Sequence, residues 1–255
     1  MKRALLIGIN YYGSSVALNG CINDINNIRE LLIRVFKYDP KNITVLDDRA
    51  ANLLKPTKAN INKFINQMVA LTKAGDTLFL HYSGHGSQVR DVNGDEKLNL
   101  ESVNMDDVLC PCDYLRSGFI RDDDLKNILV NKLVKGAKLR AFFDCCHSGT
   151  MLDLPYIYRN NVFQLVESLN KLSDDCLAIS GCKDNQTSAD AYIDKKYSGA
   201  LTWALLKTLK NNQTVPTTWN LLLTLTQYNL SKGRYSQVPV LQVGNKELLN
   251  KLIDL

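Results

Sequence analysis

The chain has only three histidines, and all of them fall in two short segments, His81-Tyr82-Ser83-Gly84-His85-Gly86 and Asp144-Cys145-Cys146-His147-Ser148-Gly149. The second segment also carries two of the seven cysteines, side by side. A thiolate is a strong nucleophile and a neutral thiol a poor one, so a cysteine with an ordinary pKa near 8.5 needs an imidazole within hydrogen-bond reach to attack an acyl carbon. His85 sits between two glycines, where backbone can come close to a substrate, and is read as the general base. The Gly86 N–H beside it is placed to hold an oxyanion together with the N–H of the nucleophile. Cys146 is read as that nucleophile. Cys145 continues the alternation of the preceding apolar run and is expected to be buried, whereas Cys146 opens the turn and is expected to be exposed. His147 adjoins Cys146 in sequence, but neighbours on a turn diverge, and His81 is expected to be a core residue.

The acids are distributed as unevenly as the histidines. From Asp91 to Asp124 eight Asp and two Glu face only Lys97, Arg116 and Arg121, a net −7 within a chain of +5, so the remainder carries +12. An acidic stretch on a basic chain suits a hard cation. Asp91-Val92-Asn93-Gly94-Asp95-Glu96 looks like a calcium loop, but its Gly is at the fourth position and its twelfth residue is Ser102, so it is not an EF-hand. Asp122-Asp123-Asp124 at a helix start exceeds what the helix dipole calls for. Asp144 lies two residues before Cys146, where a carboxylate raises a thiol pKa rather than lowering it, so its use is to attract a cation. Asp24 has an alternative reading as an acid of a first helical turn. Structural zinc lacks two ligand pairs at suitable spacing. The odd cysteine count in a chain too long to need stapling points to thiols in a reducing compartment.

The elements that must position these residues alternate between short apolar runs and helix-period segments, the pattern of a mainly parallel sheet covered by helices on both faces. Strands are expected at 3–9, 42–46, 77–82, 139–143, 176–180 and 238–243, and helices along Ile25 to Phe36, Ile61 to Val69, Asp122 to about Lys135, Tyr197 to Lys210 and Thr217 to Ser231. The acidic window is expected to be largely loop. Sites in open α/β sheets lie beyond the carboxyl ends of strands. The strand entering His81–Gly86 and the strand entering Asp144–Gly149 therefore bring imidazole and thiol to one rim if they are neighbours. At 255 residues, with 45% hydrophobic and 22% charged residues, the chain can form a sizeable core, and it has no disordered or repetitive composition. No apolar run is long enough to span a bilayer, and Ala4 to Ile9 lacks the cleavage site of a secretory leader. Basic residues are diffuse, which disfavours nucleic acid.

Together with Gly20-Cys21-Ile22-Asn23-Asp24 and Ser180-Gly181-Cys182-Lys183-Asp184-Asn185-Gln186-Thr187-Ser188-Ala189-Asp190, the two histidine-bearing motifs resemble the metacaspases, particularly their type I group. The likeness extends to about Leu209. It implies a caspase-like three-layer α/β sandwich and a His/Cys dyad, His85 and Cys146, that cleaves after Arg or Lys, usually with calcium activation. By position it implies Asp24, Ser83 and Asp144 in the pocket for the basic side chain, and Asp106, Asp122, Asp123 and Asp153 as Ca2+ ligands. The expected organisation is one catalytic domain over 1–255, with a large-subunit-like part to about 155, a connector to about 175 and a small-subunit-like part after it. The unit begins at Arg3, without the leader common in type I members. Arg159, Lys171 and Lys195-Lys196 are candidate self-cleavage points, and Phe163, Leu165, Val166 and Leu169 give the connector core character.

The expectation is thus a cytoplasmic, monomeric, calcium-dependent cysteine endopeptidase acting on protein or peptide substrates with Arg or Lys, with no nucleic-acid or membrane partner. A non-proteolytic caspase-fold scaffold is the first alternative, although it would be expected to lack the dyad. A peptidase of this fold preferring Asp or Asn is the second, opposed by the acids in the pocket.

Overall fold

The computed structural model describes residues 1–91, 105–146, 149, 151–159, 162–165, 174–181, 190–193, 196–211 and 217–255. The calcium-like loop beyond Asp91, Ser102, His147, Ser148, Val166, Leu169, Lys171, Cys182 to Ala189, and Lys195 lie outside the described residues.

In chain order, β1 (Lys2–Gly8), α1 (Cys21–Arg34), β2 (Ile43–Asp47), α2 (Lys58–Ala70) and β3 (Thr77–Ser83) lead into a small sheet of β4 (Gly86–Arg90), β5 (Met105–Leu109) and β6 (Ile120–Arg121). A short helix, α3 (Tyr114–Ser117), precedes β6, and α4 (Asp122–Leu125) follows it, before β7 (Lys138–Asp144). The second half comprises β8 (Tyr156–Arg159), β9 (Val162–Leu165), β10 (Cys176–Ser180), a hairpin of β11 (Asp190–Ile193) and β12 (Lys196–Gly199), α5 (Ala200–Asn211), α6 (Trp219–Lys232) and β13 (Val240–Val243). The main sheet has eight strands in the order β2-β1-β3-β7-β10-β13-β8-β9. Its first five are parallel, and β13, β8 and β9 add on antiparallel.

Strands covered on both faces are apolar at successive positions, and side-chain alternation divides them between two cores. Leu5, Ile7, Leu80, Tyr82, Ala141 and Phe143 pack with α2 and the α4 region. Leu6, Phe79, Phe142 and Ile179 pack with α1, α5 and α6. This is the caspase-like three-layer α/β arrangement expected from the motifs. The same alternation carries Ser83 and Asp144 to the α1/α5 side and Cys145 to the α2 side.

Several elements differ from the sequence expectation. The acidic window holds two strands, β5 and β6, because Met105–Leu109 pairs antiparallel with β6 and with β4 just before the window. The helix from Asp122 is shorter than expected, changing after Leu125 to a five-residue π-turn that ends at Val130. Residues 196–199 form β12 rather than the start of α5. Arg159 closes β8, opposite Val162 of β9, so this part of the expected connector is paired into the main sheet.

At the opposite end of the sheet from the histidine loops, fully buried Arg140 on β7 bonds Asp175 through Nη2 at 2.7 Å and Asp254 through Nε at 2.8 Å. The guanidinium also lies over Trp219. A buried cation survives only with such partners, and here they come from the residue before β10 and from the tail after α6. Arg140→Ala leaves Asp175 without its cation and Asp254 with Lys138 alone, and is expected to cost about 3 kcal/mol, measured by urea denaturation. A cost below about 1 kcal/mol would show that the pairing is dispensable.

Candidate active site

Strands β3 and β7 are adjacent and parallel, with Ser83 opposite Asp144. His85 and Cys146 each lie two residues beyond that last pair, so the register alone brings them to the same level on neighbouring loops. Direct packing tightens the approach. A Cβ on Gly86 would stand 2.0 Å from the Cys146 carbonyl oxygen and 3.2 Å from Cys145 Sγ, so only glycine fits there. Cys146 is 8% exposed, more buried than expected, because this loop lies against it. Cys145 is buried in the α2-side core, as its strand alternation requires.

The backbone around His85 is fixed from several sides. Its N–H donates to Tyr11 Oη at 2.9 Å, and its carbonyl accepts from Tyr82 Oη at 2.8 Å and from the Cys110 N–H at 3.1 Å. In an antiparallel ladder hydrogen-bonded and non-hydrogen-bonded pairs alternate. The His85–Cys110 bond makes Gly86–Leu109 a non-hydrogen-bonded pair, and its Gly86 N–H points away from β5, available to an incoming oxygen. The His85 ring packs 4.6 Å from the Tyr11 ring, and Nε2 lies 2.7 Å from the Val16 carbonyl oxygen. A carbonyl only accepts, so in the neutral imidazole this contact places the proton on Nε2 and the lone pair on Nδ1. Burial raises the Tyr11 and Tyr82 phenols well above their ordinary pKa, so both remain hydroxyls. Tyr11 and the Val16 carbonyl were not found from sequence; an aromatic residue in the loop after β1 was the only trace. His81 is a core residue, with burial lowering its imidazole to about 4.

The three pocket candidates come together. Ser83 Oγ donates to Asp24 Oδ2 at 2.7 Å, Ser198 Oγ donates to Asp24 Oδ1 at 2.5 Å, and the Gly199 N–H reaches Asp24 Oδ2 at 2.9 Å. Asp24 therefore spends its oxygens across the sheet edge and does not cap its own helix. Asp144 Oδ2 accepts the Thr202 N–H at 2.7 Å, while its Oδ1 is buried with no hydrogen-bond partner among the described residues. A Cβ on Gly199 would lie 2.2 Å from Asp144 Oδ2 and 2.9 Å from Asp24 Oδ2, which puts the two carboxylates on one spot. Both are fully buried, and no Lys or Arg pairs with either among the described residues. Burial, then repulsion from Asp144, pushes Asp24 up to about 7, and burial raises Asp144 as well. The sequence offered no sign that Ser198, Gly199 and Thr202 would contribute, since they are remote along the chain.

The acidic candidates form a second cluster on the small sheet. Carboxylate oxygens of Asp106, Asp122 and Asp123 all lie within 4.8 Å of one another. Two oxygens on one calcium ion at about 2.4 Å can be at most about 4.8 Å apart, so this all-oxygen set fits such an ion. Asp122 accepts the N–H groups of Asp107 and Asp123. Burial, then the charges of Asp153 and Asp107, push it up to about 10, but Asp153, the fourth expected ligand, is not among the carboxylates that lie within that distance of one another. Asp153 follows the Cys146 loop and has a positive φ of 42°. Asp107 and the Arg121 ion pair to Asp106 were not foreseen.

The family model described as "Metacaspase, peptidase C14 domain" matches residues 2–155. Metacaspase-1 of Meyerozyma guilliermondii is 36% identical over 298 residues, covering 98% of this chain and 71% of that protein. Metacaspase-1 of Scheffersomyces stipitis is 33% identical, covering 98% and 72%. Among solved structures, a Geobacter sulfurreducens protein superposes with a TM-score of 0.67 at 23% identity, covering 99% of this chain and 98% of its own. Caspase-1 from Spodoptera frugiperda gives a TM-score of 0.61 at 15% identity, covering 99% and 89%. At such identities the structural likeness concerns the fold.

The Gly86 contact is open to a direct check. Gly86→Ala forces the Cys146 carbonyl aside and is expected to cost about 1–3 kcal/mol of stability, together with most of the peptide hydrolysis. Gly149→Ala, with nothing within 4 Å of the added methyl, is expected to change stability by less than about 0.5 kcal/mol. Equal effects in chemical denaturation would remove Gly86 from its assigned role.

Proposed function

The chain belongs to the metacaspases and is a cysteine endopeptidase acting on proteins, and from that premise we propose a calcium-dependent enzyme that cleaves after Arg or Lys with His85 and Cys146 as its dyad. Nδ1 of His85 takes the Cys146 thiol proton, and the thiolate attacks the scissile carbonyl carbon. The Gly86 N–H and the Cys146 N–H hold the oxygen that becomes negative. The tetrahedral intermediate collapses, the carbon–nitrogen bond breaks, and the imidazolium returns its proton to the leaving amine. Water, deprotonated by the same imidazole, then frees the acyl group from sulfur.

The observation that carries the specificity is the buried pair Asp24 and Asp144, without a basic partner among the described residues. Two carboxylates out of water are costly unless a cation joins them, and an Arg or Lys side chain supplies one. An acidic substrate side chain would add to the repulsion. Asp106, Asp122, Asp123 and Asp153 would hold calcium, whose charge offsets their mutual repulsion and links the small sheet to the segment following Cys146. The unit is proposed to act as a cytoplasmic monomer, with any self-cleavage secondary to activity. No helix among the described residues is long and apolar enough to cross a membrane.

The test is hydrolysis of fluorogenic peptides ending in Arg, Lys or Asp, with calcium or chelator, beside a Cys146→Ala control. Arg and Lys peptides are expected to be cleaved only with calcium. Cleavage of the Asp peptide alone would overturn the specificity, and cleavage of none would favour a scaffold. Asp24→Asn is expected to lower kcat/KM for Arg peptides by about 100-fold, the scale of losing one buried charge partner.

The buried pair of carboxyls also has a stability signature. An unfolded Asp ionises near 3.9 and folded Asp24 near 7, so between those values the unfolded chain releases the proton first. This contribution to stability is full below about pH 4 and is lost as pH rises through about 7. The fall in Tm from pH 5 to pH 8 should therefore be smaller in Asp24→Asn than in the wild type. A parallel pH dependence in the two proteins would contradict the assignment.

A further inference from the structure

We propose that Arg121 is a resident counter-cation of the acidic cluster, holding Asp106 until a divalent ion displaces it, and so sets how tightly that ion binds. The inference rests on the calcium reading of the site and concerns a residue outside the ligand set.

Arg121 pairs with Val108 across β5 and β6, and Asp106 lies two residues from Val108 on the same face of β5. Diagonal neighbours of this kind are within reach of a long side chain. Nη1 of Arg121 is ion-paired to Asp106 Oδ2 and also donates to the Arg90 carbonyl at 3.2 Å. The two partners differ in freedom. The Asp106 side chain is 1% exposed and that of Arg121 30% exposed, so the carboxylate is fixed in the protein interior while the guanidinium borders water.

A buried carboxylate needs a partner at all times. Arg121 supplies one from the same face on which Asp122 and Asp123 bring their oxygens within 4.8 Å of those of Asp106. A divalent ion drawing on all three must compete with the guanidinium for Asp106. Arg121 can leave because its head group is returned to solvent while the arriving ion takes over the buried carboxylate, which is never left without a cation. Its departure also releases the Arg90 carbonyl at the end of β4, so ion binding alters the bonding of the strand that begins at Gly86. Arg121 thus stabilises the ion-free state and weakens ion binding by the same amount, since whatever favours one state of a linked equilibrium opposes the other.

The experiment is calcium titration by isothermal calorimetry of four proteins, all carrying Cys146→Ala to prevent self-digestion. They are the parent, Arg121→Met, Arg121→Lys and Asp106→Asn, each also melted with calcium or chelator. Arg121→Met is expected to bind calcium about tenfold more tightly, to melt lower than the parent in chelator, and to gain more from calcium. Arg121→Lys should fall between parent and Met variant, and Asp106→Asn should bind weakly. General damage to the fold would weaken binding, so tighter binding is a readout that lost stability cannot mimic. Unchanged or weaker affinity in Arg121→Met, with a parent that binds through Asp106, overturns the role of Arg121 alone. A parent that takes up no calcium, or an Asp106→Asn protein that binds as the parent does, overturns the calcium reading and this inference with it.

Discussion

The parallel ladder between β3 and β7 is the constraint on which the site depends. Seven consecutive residue pairs, from Thr77 opposite Lys138 to Ser83 opposite Asp144, run up to the rim where both loops begin. A slip of β7 by one residue in that register would move Asp144 to the α2 side and put Cys145 where Asp144 now meets Asp24. The buried apolar residues on both faces make that slip prohibitive, because every side chain of β7 would change core. Catalytic geometry is thus fixed by the packing of residues that take no part in the chemistry.

A second theme is how negative charge is managed away from water. Arg140 is the conventional case, a buried cation with acids from two distant parts of the chain. Asp24 receives two hydroxyls and a backbone N–H, donors too weak to offset its burial beside Asp144. In the small sheet, Asp106 has a guanidinium and Asp122 has backbone donors, yet the latter is still driven toward its neutral form. The two under-compensated clusters flank the His85–Cys146 rim, and the fully compensated one lies at the far end of the sheet. Residual electrostatic stress is concentrated where ligands are proposed to arrive.

Much of this was legible in the sequence because it depended on local patterns. Apolar runs at Arg3 to Ile9, Thr77 to Tyr82 and Leu139 to Phe143 identified the central strands, and the strand-end rule then gave the rim. Asp24, Ser83 and Asp144 were placed in one pocket by the resemblance, but the groups that bind them, on β12 and at the start of α5, lie more than fifty residues beyond Asp144. The small sheet was missed because its strands contain Gly86, Gln88, Asp106 and Asp107, polar residues that follow no apolar alternation. The helix after Asp122 was overextended because the apolar spacing of Leu125, Leu129 and Leu133 persists through the π-turn and beyond it. Tyr11 and the Val16 carbonyl act through backbone and phenol contacts, which leave no spacing signature. Cys146 was expected to be exposed from its place in a turn, and tertiary packing by Gly86 overrode that local argument.

Asp144, whose Oδ1 has no hydrogen-bond partner among the described residues, stands beside a carboxyl pushed up to about 7, with a further consequence for how the proposed pocket trades ions with its surroundings. Below neutral pH the Asp24 carboxyl retains a proton that an incoming guanidinium or ammonium group must evict. On the proposed assignment, docking is a swap of one positive species for another, so the buffer becomes slightly more acidic with each molecule captured. Apparent affinity for a basic side chain then weakens in acid even though the ligand keeps its full charge, and the dependence originates in the receptor alone.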